Sequence, residues 1–164
     1  MASITFRFHD GGRAAAGYRG STGDCAVRAL AIATGIEYGQ VYDAINVIGR
    51  TERTGRRKRS TSNSRMGVYR IAVERYLAQI GGWSWHSCMS IGSGCTVHLR
   101  TDELPAGRLI VSLSRHYAAV IDGVLYDLDE CSRDGTRCVY GYWRREVTPG
   151  RTISSARARS HHDR

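Results

Sequence analysis

Apolar residues in the first half of the chain recur at helical spacing, and those in the second half alternate as strands do. Between Asp24 and Gly35, the run Cys25-Ala26-Val27-Arg28-Ala29-Leu30-Ala31-Ile32-Ala33-Thr34 is apolar almost all round. That is the mark of a helix buried on most sides. Asp24 stands where an N-cap belongs, and Gly35 where a left-handed residue ends a helix. Tyr38, Val41, Tyr42 and Ile45 follow the i, i+3, i+4, i+7 pattern and predict a second helix over about 37–48. Tyr69, Ala72, Val73, Tyr76, Leu77 and Ile80 predict a third, which Gly81-Gly82 ends.

The alternation Ile4, Phe6, Phe8 predicts a short strand, closed by His9-Asp10 and broken by Gly11-Gly12. From Trp83 onward a period of two predicts strands at 83–89, 96–99, 109–113, 117–121, 124–126 and 137–143. Asp122-Gly123 between two apolar runs is a strong signal for a two-residue hairpin turn. Helices followed by an antiparallel sheet make the fold class α+β. Residues 49–66 have no apolar periodicity and read as a basic mobile loop. Residues 1–148 are expected to form one domain, and 149–164, poor in core-forming residues, a basic disordered tail. No internal repeat is present.

Composition narrows the class. A chain of 164 residues with 41% hydrophobic and 24% charged residues suits one globular unit. No segment approaches the roughly 18–20 apolar residues of a membrane span. The first residues lack the apolar core of a signal peptide, which predicts a cytoplasmic protein. Five cysteines, an odd number, fit free thiols in a reducing compartment. Cys88, Cys95, Cys131 and Cys138 could instead hold a structural zinc, although zinc knuckles are usually spaced more tightly. The net charge of +9 is concentrated. Positions 50–65 carry +6 and positions 144–164 carry +4, so the remainder is nearly neutral. Lys58 is the only lysine among 24 basic residues, a skew that GC-rich coding explains as readily as guanidinium recognition of phosphate.

Cys25 falls in the first turn of the predicted buried helix, where free amides and the helix dipole favour a thiolate. His116 begins one strand of the Asp122-Gly123 hairpin and Asp127 ends the other. The two-residue turn pairs position 118 with 127, making His116 and Asp127 diagonal neighbours on one face. A carboxylate so placed holds the imidazole while its other nitrogen faces a thiol. Asp129 is the reserve carboxylate. His9, His86 and His98 have no comparable partner pattern, and no phosphate-cradling or HExxH motif is present.

Cysteine at a helix start, then histidine on a strand, then aspartate ending the next strand resembles the papain-like cysteine hydrolase superfamily, in its small bacterial and bacteriophage-encoded form. The resemblance rests on Gly23 through Leu30 and on His116 through Asp127, with Val139-Tyr140-Gly141-Tyr142-Trp143 similar to the closing strand. It implies N-terminal helices, nucleophile helix first, packed on an antiparallel sheet. It further implies Cys25 as nucleophile, His116 as base and Asp127 as orienting residue, with a protein or peptide substrate and neither metal nor organic cofactor. The family normally carries Gln or Asn shortly before the nucleophile as an oxyanion donor; Met1 through Asp24 contain neither, so Arg19, Ser21 and Thr22 are the nearest side-chain candidates for oxyanion or substrate binding. The alternative is a non-catalytic, virion-associated or other binding protein of the same fold. It would use Arg56, Arg57, Lys58, Arg59 and the tail to hold nucleic acid or another anionic partner.

Overall fold

The computed structural model describes residues 2–147; the segment 149–164, expected to be a disordered tail, lies outside the described residues. Three helices precede most of the sheet: α1 (Cys25–Thr34), α2 (Tyr38–Arg50) and α3 (Arg70–Ile80). The strands are β1 (Thr5–Phe8), β2 (Trp83–Ser87), β3 (Arg108–Leu113), β4 (His116–Ile121), β5 (Val124–Asp127) and β6 (Gly141–Arg145). They form one six-stranded sheet in the order β1-β5-β4-β3-β6-β2. The α+β class expected from the pattern is the observed one.

The strand alternation sorts the core into two layers. Ile110, Ala119 and Trp143 face the helices and join Val27, Leu30, Val41, Ile45, Val73 and Leu77 in one buried cluster. Leu109, Val111, Val120 and Leu125 face the opposite side, where Ile4, Leu99, Leu104 and Val139 cover them. A sheet covered on both faces explains why β3 reads as a continuous apolar run.

The expectation of a purely antiparallel sheet is corrected in one place. β1 pairs parallel to β5, in register from Thr5↔Val124 to Phe8↔Asp127. Without β1, the outer edge of β5 would expose unpaired backbone groups, and β1 covers it. The next amide, of His9, donates to the Asp127 carbonyl at 2.9 Å and fixes the backbone of that residue.

Two strand boundaries also move. Residues 96–99 form no strand, only an isolated bridge between His98 and Cys138. β6 begins at Gly141 rather than 137, because the backbone at 137–139 is spent on this loop: Leu99 N donates to Arg137 O and Val139 N to Val97 O. Cys95 and Cys138 form a disulfide beside that bridge. Five free thiols and a zinc site on Cys88, Cys95, Cys131 and Cys138 are therefore both set aside, since two of the sulfurs bond each other. No helix among the described residues is long and apolar enough to cross a membrane.

Candidate active site

The helix start is built differently from a capped one. Asp24 makes no side-chain cap bond to α1. Its carboxylate is 1% exposed and turns inward. There it accepts the Tyr38 hydroxyl at 2.6 Å, pairs with Arg13 Nε at 3.1 Å and pairs closely with Arg28 Nη1. Asp24 does occupy the expected N-cap position, but its carboxylate is taken by Arg13, Arg28 and Tyr38 and not by the helix amides. The consequence is chemical. The first-turn amides of a helix have no intrahelical acceptor, and at α1 no capping carboxylate covers them.

Arg28, one turn along α1 from Cys25, is the residue that ties the helix to the sheet. It is 6% exposed and reaches Asp127 Oδ1 with Nη2 at 3.4 Å. Sequence reasoning missed it, although a lone charge on an otherwise apolar helix was its visible signal. A charge in that position must find a buried counter-ion.

The hairpin supplies the other half of the site. Asp122 and Gly123 both have positive φ, 48° and 76°, as a two-residue hairpin turn requires. The register runs Ile121↔Val124, Val120↔Leu125, Ala119↔Tyr126. His116 Nε2 meets Asp127 Oδ2 at 2.5 Å. The reserve, Asp129, is not needed for that contact; it lines a separate hollow on the far side of His116. Asp127 Oδ1 also accepts the Leu128 amide at 2.8 Å.

Electrostatics follow from these contacts. Burial alone would raise the Cys25 thiol, but a hydrogen bond and charge from His116 outweigh it, helped by the Tyr117 amide and the Arg28 charge, and the net direction is downward. For His116, burial pulls the other way, yet hydrogen bonds from Asp127, Cys131 and Cys25 and the Asp127 charge raise it to about 11. Burial likewise opposes ionisation of Asp127, and the His116 hydrogen bond and charge, the Leu128 amide and Arg28 bring it below the ordinary carboxylate range. All three directions favour a thiolate, an imidazolium and a carboxylate in a row. Asp127 occupies Nε2, so Nδ1 is the nitrogen free to exchange a proton with sulfur.

Cys25, His116 and Tyr117 open onto a cleft of about 470 Å³, walled by Gly23, Ser60, Thr61, Met66, Tyr69, Arg70 and Arg115 among others. Arg19, Ser21 and Thr22 do not line it, so the sequence-derived oxyanion side chains are not brought to the thiol. A larger hollow of about 580 Å³ lies at the other end of α1, around Ile32, Gly35 and Arg108, and its lining holds no cysteine, serine or threonine.

The basic segment forms one wall of the cleft. Its lone acid, Glu52, anchors it: the carboxylate accepts Lys58 Nζ at 2.6 Å and the Ser62 amide and hydroxyl at 2.7 Å. Lys58 also lies 4.8 Å from the Tyr69 ring centroid. Gly49 has no side chain because Ser62 O would lie 2.0 Å from its Cβ. Gly23 N donates to Arg65 O at 2.8 Å, joining the segment to the approach to Cys25. Of the four residues singled out for anion binding, Lys58 is turned inward, whereas Arg56, Arg57 and Arg59 are exposed. Glu52→Gln is expected to release this wall, with trypsin cleaving between Arg53 and Arg65 several-fold faster than in the wild type. An unchanged cleavage rate would show that the anchor does not restrain the segment.

The donor atoms of His116, Asp127 and Cys131 lie within 4.8 Å of one another, the one such three-residue group among the described residues. The hollow around this group is lined by Arg28, Arg115, Arg133 and Arg137 and also by the acids Asp129 and Glu130. The other histidines among the described residues are engaged elsewhere: His98 with Glu103 at 3.0 Å, His86 against Tyr142, and His9 with the Gly11 amide. No family model, curated protein or solved structure matches the chain.

Proposed function

We infer that this protein is a papain-like cysteine hydrolase that cleaves an amide, peptide or isopeptide bond through Cys25, His116 and Asp127. The observation that carries the reading is the 2.5 Å contact between His116 and Asp127, with His116 and the Cys25 thiol at the start of a buried helix lining one cleft.

The chemistry runs as follows. The Cys25 thiolate attacks the carbonyl carbon, forming the C–S bond while the carbonyl electron pair moves to oxygen. The uncapped amides at the start of α1 stabilise that oxyanion, the part that the absent Gln or Asn plays in other members. Collapse breaks the C–N bond, and the imidazolium gives its Nδ1 proton to the departing amine. Water then attacks the thioester with His116 taking its proton, the C–S bond breaks, and the acid product leaves the thiolate–imidazolium pair restored. Asp127 keeps its negative charge throughout and holds the ring. Arg28 and Leu128 N–H hold Asp127.

A non-catalytic binding role draws support from one feature, the exposed trio Arg56, Arg57 and Arg59 in the basic segment. A peptidyl vinyl sulfone separates the two. The hydrolase reading expects stoichiometric labelling at Cys25 alone, located by mass spectrometry. No labelling at Cys25, or equal labelling of Cys88 and Cys131, would favour the binding protein.

A further inference from the structure

The link between β3 and β4 is two residues long, Ser114-Arg115, with Leu113 paired to His116. Arg115 has φ 54°, a left-handed conformation that glycine and asparagine occupy at little cost and arginine does not. The turn is braced into this shape from outside, since Arg137 donates through Nη2 to Ser114 O at 3.1 Å and through Nη1 to Cys131 O at 3.2 Å. A braced, strained turn carrying a long cation directly before the candidate base calls for an explanation, and the surroundings of Arg115 provide one.

Arg115 lines both the 470 Å³ cleft on the Cys25 side of His116 and the 350 Å³ hollow on the other side. The lining of the first contains no Asp or Glu, whereas the second also holds Asp127, Asp129 and Glu130. Of the other cations near His116, Arg133 is exposed and unpaired but lines only the second hollow, and three are engaged. Arg70 pairs with Glu74 at 3.5 Å and lies over Trp85. Arg28 is spent on Asp24 and Asp127. Arg137 is spent on the two carbonyls just named. Arg115 is exposed, and among the described residues its guanidinium has neither an ion pair nor a hydrogen bond.

We propose that Arg115 is a specificity-determining residue that binds a carboxylate of the substrate next to the scissile bond, so that the preferred substrates are acidic peptides or acidic isopeptides. This rests on the hydrolase reading of Cys25 and His116 and names its substrate class. A planar guanidinium carried on a braced turn, exposed and without a counter-ion, matches a carboxylate with two parallel hydrogen bonds. An acidic side chain on the acyl part of the substrate and a carboxylate on the leaving part offer the same chemistry, one from each side of His116.

The test uses two electrophiles of nearly equal size, anionic iodoacetate and neutral iodoacetamide, on the full chain. The ratio of their rates at Cys25 cancels any change in thiolate population. Arg115→Gly and Arg115→Asn both suit the left-handed turn, and Arg115→Gly is expected to hold or raise Tm, by up to about 3 °C. In both variants the iodoacetate/iodoacetamide ratio should fall about fivefold, and Arg115→Glu should lower it further. Vinyl sulfones carrying Asp or Asn in the acyl part, and a carboxyphenyl or phenyl group on the sulfone, then show which side the carboxylate occupies. A normal Cys25 rate with a ratio unmoved by all three variants overturns the proposal and leaves the hydrolase reading intact. A Cys25 that reacts with neither reagent at pH 6 overturns both.

Discussion

Arg28→Met should lower the stability of the protein by about 3 kcal/mol, or about 10 °C in Tm. Removing one member of a buried ion network leaves the others uncompensated, and such losses run to roughly 3–5 kcal/mol. The low end applies here because each carboxylate keeps a second cation. Asp24 retains Arg13 Nε at 3.1 Å, and Asp127 retains His116 Nε2 at 2.5 Å. The same substitution should slow Cys25 alkylation, since the Arg28 charge favours the thiolate and helps to hold Asp127. Chemical denaturation and thermal melting measure the first effect. A loss below about 1 kcal/mol would mean that Arg28 is not the tie between helix and sheet.

His116→Ala should reduce vinyl sulfone labelling of Cys25 by about 10²–10⁴-fold, the range that a positioned acid–base group contributes. Two effects combine in that loss. The proton acceptor disappears, and burial of the thiol, the largest influence on it, then meets only the Tyr117 amide and the Arg28 charge. Asp127→Ala should have a smaller effect of the same sign, because it loosens the ring without removing it. Measured second-order labelling rates decide the order, and a larger effect for Asp127 than for His116 would reverse the roles assigned to them.

Much of this arrangement could be read from residue spacing, because the relevant periods are local. Apolar spacing located α1, α2 and α3, and the Asp122-Gly123 turn set the register that brings His116 to Asp127. What spacing could not supply were decisions made by distant partners. Asp24 has the local signature of an N-cap, and only the folded chain places Arg13, Arg28 and Tyr38 around it. The parallel pairing of β1 with β5 depends on an edge more than a hundred residues away. Cys131 has no sequence pattern linking it to His116, yet a loop delivers it there. The basic segment did carry a usable clue. Glu52 was its single acid, and a single acid in a run of arginines is a natural place for a loop to be anchored.

The central claim is that Cys25 is a thiolate held by His116, and the rate of its alkylation by iodoacetamide as a function of pH tests it directly. An ordinary thiol of pKa ~8.5 is only about 0.3% ionised at pH 6. A lowered thiol and an imidazole raised to about 11 keep the ion pair present through neutral pH, and it is lost as pH falls through the thiol's own titration. Folded wild-type protein should therefore react at Cys25 at pH 6, far ahead of Cys88, whose burial raises it. His116→Ala should move the Cys25 profile into the alkaline range of an ordinary buried thiol. A wild-type Cys25 that stays inert until about pH 8, with a profile that His116→Ala does not shift, would contradict the account.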